Sequence, residues 1–510
     1  MQNIKFIVAS WLAVLFGSTA LGTPVQVGNR KQLFIDQTFI EQAKGVALHM
    51  NPPVKCGVVM RGTNAWENGV ITGAGTVVED GGKFRFWYTA MPASQQLLEH
   101  TQFRLCYAES TDGIRWYKPH LGLYEWEGST DNNIIMNSEI ESGGGVFVDP
   151  LAPPTERYKL LARLAEKSAD QPLGYAPNGT GMYLYTSPDG IHWTLNSERV
   201  FPFNPDTVNM VLYDDRTHRY LAYLRTWIGS RRRVGVVEIE HLMKPWPYTK
   251  GIEPWRPWKG RIGPPTKEIP EAFGADEQDP NNVDHYTPAA VKYPWAENVY
   301  FLFPSAYAHS PPPPKSQFAN DGPLDIQMAL SRDGRKFNRV SRFPYIENGM
   351  KGSVDNGSMY MYVGMVRHGS EIFQYYCGLD WTHGAYHGVP ETRNRGSMML
   401  ARQRLDGFVS VDADEAGGEF VTPELIFRGG QLTLNMNASA TGEIRLELRQ
   451  ADGLPIKGFT FNESDFLGQN DVAKVATWQG KSDVSTLAGK PVRVAFRLRT
   501  AKLYAFQFVD

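Results

Sequence analysis

The sequence predicts an all-β chain, a five-bladed β-propeller followed by a C-terminal β-sandwich. Three observations carry this. First, the stretch YTSPDGIHW at 185–193 recurs as AESTDGIRW at 108–116, ALSRDGRKF at 329–337 and RQRLDGFVS at 402–410. Each copy places strand-forming residues on both sides of an Asp-Gly corner, the pair favoured in tight hairpins because these turns need positive φ. Second, the corner aspartates Asp112, Asp189, Asp333 and Asp406 are 77, 144 and 73 residues apart. The middle interval is nearly double the others, so a unit of about 73 residues repeats with one corner degenerate near 238–246. Third, every unit has room for four short strands, the grammar of a propeller blade.

The elements follow in order. Lys5 precedes the apolar run FIVASWLAVLFGSTA, and Ala20-Leu21-Gly22 supplies small residues for cleavage. Residues 1–22 therefore read as a signal peptide and not a membrane span, because the run is short and polar sequence follows. A secreted or periplasmic location is expected. Residues 23–66 form a lead-in, in which KQLFIDQTFIE at 31–41 is a lone strand that closes the ring or packs on the sandwich. Asp36 within it reads as a turn residue before a catalytic one.

The propeller is expected over 67–415. Its blades open on NGVITGAGTVVED, GGGVFVDP, DTVNMVLYDD, HYTPAAVKY and NGSMYMYVGMV. The fifth blade runs through EIFQYYCGLDW and SMMLARQRLDG to FVSVDA as its fourth strand. Residues 420–510 break the rhythm. QLTLNMNAS, EIRLELRQADG and PVRVAFRLR alternate apolar and polar, as a β-sandwich does. The sandwich either binds carbohydrate or, the more common case, packs on a propeller edge.

Composition narrows the function. Of the 510 residues 42% are hydrophobic and 21% charged, and the net charge is −2, so nothing in the balance points to nucleic acid or an anionic membrane. The 13 Trp and 23 Tyr suit a β-rich core and also suit stacking on sugars. With Cys56, Cys106 and Cys377 alone, disulfides do not build the fold; one Cys56–Cys106 bridge or three unpaired buried thiols are the options. No cofactor and no metal motif is evident. The expected partner is a carbohydrate, and oligomeric state is not legible.

Blade topology sorts the candidates. Strand one starts, strand two ends and strand three starts on one face, and the Asp-Gly corners fall on the other. An acidic residue precedes or opens every inner strand: Glu67, Glu141, Asp206, Asp284 and Asp355. Converging carboxylates raise one another's pKa, and one protonated with one ionised carboxyl is the pair glycosidic cleavage needs. Glu67 and Asp284 are the candidate pair, with Asp206 tuning them; the alternative for any of these acids is a turn role. Arg163 and Arg225 stand near the same mouth to orient a carboxylate or bind a substrate acid. Trp227 and Trp381 could stack on a sugar, and His285, His309, His383 and His387 lie on that face as hydrogen-bonding groups before ligands. SRRR at 230–233 is either a solvated loop or a grip for a sulfate, uronate or phosphate.

In layout the chain resembles the glycoside hydrolases of families 32 and 43, which combine a five-bladed propeller with a β-sandwich and use an Asp/Asp/Glu set at the inner strand ends. The resemblance implies a base or nucleophile, a general acid and a third, tuning carboxylate at the positions of Glu67, Asp206 and Asp284. The residue types depart from that set. The Trp-Met-Asn-Asp-Pro-Asn-Gly and Glu-Cys motifs are absent, and the Arg-Asp-Pro motif has only the echo Val148-Asp149-Pro150. The S-x-D-G-x-x-W pattern also resembles the Asp-box of sialidases, a fold marker there. The expectation is a secreted glycoside hydrolase acting on a plant or algal polysaccharide. A non-catalytic carbohydrate-binding propeller and a glycoside phosphorylase are the alternatives.

Overall fold

The structure is a computed structural model that describes residues 23–67, 69–90, 104–137, 145–164, 179–247, 265, 267–312, 320–384 and 396–510. Strands joined by turns and short 3-10 segments make up the described residues. No helix among them is long and apolar enough to cross a membrane.

Blade one comprises Ile71–Asp80, Lys83–Ala90, Arg104–Ser110 and Ile134–Asn137, in antiparallel order. Blade two comprises Val146–Val148, Tyr158–Leu164, Gly181–Ser187 and Thr194–Phe201. Blade three comprises Met210–Asp214, Arg219–Ile228, Arg231–Ile239 and Glu271–Phe273. Its outer strand arrives late, which is why the repeat looks degenerate there. In blade four each of the first three strands is broken in two: Val283–Tyr286 with Ala290–Lys292, Tyr300–Leu302 with Ser305–Ala308, and Leu324–Ile326 with Ala329–Ser331. Pro288 and Pro304 stand in the first two gaps, where a residue without an N–H cannot extend the ladder. Thr287 and Ala289 flank Pro288 at φ 53° and 39°.

Blade five corrects an expectation. Ser358–Met361, Glu371–Leu379 and Ser397–Arg404 take Val54–Arg61 as their fourth strand, antiparallel to the third. FVSVDA was expected there, but Val409–Ala413 pairs with Ala501–Val509 and Ala47–Met50 in the sandwich. Borrowing a strand from the N-terminal side hydrogen-bonds the two ends of the propeller chain into one sheet. A strand from the C-terminal side would leave the ring closed by side-chain packing alone.

The Asp-Gly corners act as latches between blades. At Asp112, Asp189 and Asp333 the serine two residues earlier receives the glycine N–H, and the aspartate Oδ1 accepts the next two backbone N–H groups. Each glycine carbonyl then accepts from strand two of the preceding blade. Trp87 of blade one donates to Gly190 O (2.6 Å), Tyr223 of blade three to Gly334 O (2.7 Å), and Tyr375 of blade five to Gly113 O (2.8 Å). Blade five therefore locks onto blade one as its neighbours lock onto theirs. Gly190 has φ 78°, and a Cβ there would meet Trp87 at 2.6 Å. Asp406 departs from the set because Arg404 replaces the serine. Its buried carboxylate instead ties Lys31 and Tyr293 to the start of the sandwich.

The sandwich is one eleven-stranded sheet folded over a single core. The strand Gln431–Gln450 pairs with Ala501–Val509 along its first half and with Val492–Arg499 along its second, bending at Ser439 (φ 53°) to serve both layers. Phe34 meets Phe420 and Phe496, and Phe39 meets Phe506, edge to face in its interior, while Phe420 and Phe496 stack. The lone strand of the lead-in thus belongs to the sandwich, with Gln32–Leu33 paired to Ala505 and Phe506. Asp36 caps a turn there and holds Arg332. All three cysteines are free, Cys56 exposed and the others buried.

Candidate functional site

The face on which the second strands end and the third strands start, the upper face, gathers a cluster around Tyr286 of blade four. Arg225 lies near the end of its strand, on the same side as Tyr223 and Trp227, because side chains on a strand alternate. Arg232 lies directly opposite Trp227 in the next strand, so it shares that side. The two guanidinium carbons stand 4.0 Å (Arg225) and 5.3 Å (Arg232) from the Tyr286 ring centroid. Both distances fall within cation–π range. Tyr307, Tyr360 and His383 complete the aromatic lining, with His383 Nδ1 2.6 Å from the Tyr360 hydroxyl.

Asp206 and Asp284 flank this cluster, and Asp321, which accepts from Thr382 Oγ1 (2.7 Å), is a third carboxylate whose field reaches Tyr307 and His383. Asp206 sits on a strained turn, where Asp206 and Thr207 have φ 62° and 54°. For a β-branched threonine this is an outlier that the surroundings must enforce. Asn209 enforces it, donating to the carbonyls of Asp206 (2.8 Å) and Thr207 (3.0 Å) while its own oxygen accepts from Arg225 N. The Asp206 side chain is 49% exposed yet bonds the buried Arg225 and stands 3.5 Å from Arg163. Burial works to raise its pKa, but the field of Arg225 and Arg163 and the Thr207 N–H outweigh it and lower the value to about 2. Asp284 is only 2% exposed and accepts from Arg232 N (3.1 Å) and Nη1 (2.9 Å), with His309 Nε2 at 3.2 Å. Desolvation again opposes ionisation, and His309 and Arg232 overcome it to bring Asp284 to about 2. Burial, then the fields of Arg232 and Arg225, lower His383 to about 4, so its imidazole is neutral.

Other candidates lie elsewhere. Glu67 is fully buried: Tyr88 donates at 2.5 Å, Asn64 N at 2.8 Å, and Lys118 Nζ lies 2.7 Å away. It is sealed into the edge of blade one and not brought to the cluster. Asp355 is held by Lys55 of the closing strand (2.5 Å) and by Tyr376 and Ser353, towards the outside of blade five. His285 points opposite to Asp284, as alternation demands. Its ring is buried edge-on to Phe273 between blades three and four, and burial lowers its pKa to about 4. Trp381 is buried in the core shared by blades one and five. Trp227 is also buried, 5.8 Å from the Arg225 guanidinium. Of the arginine run only Arg232 joins the cluster; Arg231 binds the carbonyls of Pro280 and Val283, and Arg233 binds Glu271. Glu141, His387 and the long loops at 91–103, 165–178 and 385–395 lie outside the described residues, as do 248–264 and 313–319.

Sequence reasoning did not single out Tyr286, Tyr307 and Tyr360, nor Arg232 within its run. The available signal was the two-residue period from Arg225 to Trp227 together with the short turn at 229–230, which sets Arg232 opposite. A cavity of 1160 Å³ lies at the other end of the ring, lined by Lys31, Tyr213, Lys292 and Glu297. Its lysines are already paired with Asp406, Asp214 and Asp215, and no carboxylate of the upper cluster reaches it. Among the described residues no group of three or more His, Cys, Asp or Glu is arranged to hold a metal ion.

With this geometry in place, the likeness to solved structures is one of layout. The chain is similar to a glycosyl hydrolase from Bacteroides ovatus at 15% identity, covering 74% of this chain and 99% of that one, with a TM-score of 0.40. It is similar to the exo-inulinase of Aspergillus awamori at 12% identity over 90% of this chain and 99% of that one, TM-score 0.40. A third is a structure from the GH130 family of mannoside phosphorylases, described as containing glycoside hydrolases that target β-1,2 mannosidic linkages in Candida mannan. There the identity is 17%, the coverage 74% and 99%, and the TM-score 0.40. No family model matches the chain, and no curated protein does.

Proposed function

We propose that the protein cleaves glycosidic bonds in a polysaccharide or its oligosaccharides, bound at the upper face, outside the cell once the leader at 1–22 is removed. One observation carries the reading: Asp206 is a half-exposed, ionised carboxylate held by buried Arg225 and Arg163 on a backbone that is strained to present it. Strain and perturbed pKa concentrate where a site must be preorganised. An ionised carboxylate at that position serves as nucleophile at the anomeric carbon or as base for the attacking water. Asp284, sealed below, acts as a positioning residue for Arg232 and His309.

The ionised Asp206 and Asp284 favour a second reading, a carbohydrate-binding propeller without turnover, since neither of the two is held protonated. Incubation with a panel of polysaccharides, reading reducing ends with and without phosphate, separates the two. Cleavage that Asp206→Asn abolishes in a folded variant supports hydrolysis. Retention of intact glycan without cleavage supports binding alone, and phosphate-dependent release of sugar 1-phosphate makes the protein a phosphorylase.

A further inference from the structure

We propose that the Tyr286 cluster binds an oxyanion, so that the ligand carries an acidic group; this rests on the carbohydrate reading of the same site. Arg225 is 3% exposed, and its Nε and Nη2 are buried with no hydrogen-bond partner among the described residues; the same holds for Nε of Arg232. The carboxylates nearby do not fill these positions. Asp206 takes Nη1 of Arg225, and Asp284 takes Nη1 and the backbone N–H of Arg232. Buried guanidinium N–H groups left unpaired cost about 1–3 kcal/mol each, so their presence in one place calls for an acceptor. The unpaired groups are donors only. A neutral sugar hydroxyl would bring a proton of its own that needs an acceptor there, whereas a carboxylate, sulfate or phosphate brings only lone pairs. Tyr286 covers the Arg225 guanidinium, 4.0 Å from its ring centroid, and offers no acceptor to the N–H groups at its edge.

The anion has two sources, an acidic sugar or free inorganic phosphate. Calorimetric titration of the whole protein with galacturonate, galactose and inorganic phosphate, at matched ionic strength, distinguishes them. The expected result is galacturonate or phosphate binding at least tenfold tighter than galactose, and weakened at least tenfold in Arg232→Gln. Binding of galacturonate but not phosphate assigns the charge to the sugar, and the reverse assigns it to the free ion. Arg232 is 22% exposed at its side chain, and cooperative urea unfolding of the variant guards against a misfolded control. Equal affinity for galacturonate and galactose, no binding of either anion, or anion binding unchanged in a folded Arg232→Gln variant would each overturn the proposal. Anion binding without cleavage of any polysaccharide would remove the glycosidase reading and leave this one. Cleavage of neutral polysaccharides with no anion bound would do the opposite.

Discussion

Replacing Lys118 by Met tests whether Glu67 holds the ring together. Lys118 reaches from blade one to the Glu67 carboxylate at 2.7 Å and to the Arg61 carbonyl at 2.8 Å, and Arg61 ends the strand that closes blade five. Glu67 has no exposed surface. The variant leaves its carboxylate with only Tyr88 and Asn64 N as donors. Breaking a buried pair by removing one partner costs about 3–5 kcal/mol, because the remaining charge stays out of water. Urea unfolding followed by tryptophan fluorescence should show a loss in that range. The double variant Glu67→Gln, Lys118→Met removes the stranded charge and should recover more than half of it. Activity per folded molecule should be unchanged in both. A loss below about 1 kcal/mol, or a stable Glu67→Gln variant that has lost turnover, would refute the structural role and return Glu67 to the active site.

Three further outcomes follow from the same geometry. Asp189→Ala strips two capped N–H groups from the blade-two latch, and Gly190→Ala drives a Cβ against Trp87. Each should lower stability by roughly 1–3 kcal/mol and spare turnover, checked by urea midpoint and initial rate. Asp284 has its folded pKa lowered from 3.8 to about 2. Its contribution, roughly 2 kcal/mol, is therefore complete above pH 4 and lost as pH falls towards 2; Asp284→Asn should flatten that part of an acid-unfolding curve. His285→Leu replaces a buried neutral ring that makes no hydrogen bond to a described residue, so it should leave ligand affinity unchanged and cost less than about 1.5 kcal/mol.

The fold was legible where the chain repeats a physical device. Ser-x-Asp-Gly specifies one hydrogen-bonded corner, so its recurrence counted blades, and where serine gave way to Arg404 the corner changed its job. The closing strand was not legible, because Val54–Arg61 lies far from its partners in sequence and VKCGVVMR alternates no better than the stretch that was expected. The site was half legible. Acidic residues before inner strands pointed to Asp206 and Asp284, which the fold brings beside Arg225 and Arg232, but the same rule also marked Glu67 and Asp355. Only the third dimension separates a carboxylate facing a shared funnel from one turned onto Lys118 or Lys55. His285 failed for a simpler reason: its neighbour Asp284 already took the side of the strand that faces the cluster.

The central claim is that Asp206 is the reacting carboxylate. The most direct test is turnover of Asp206→Asn on whichever polysaccharide the wild-type protein cleaves, with folding verified by cooperative unfolding. The account predicts a fall in kcat of at least 100-fold. Wild-type kcat in the folded variant would contradict it.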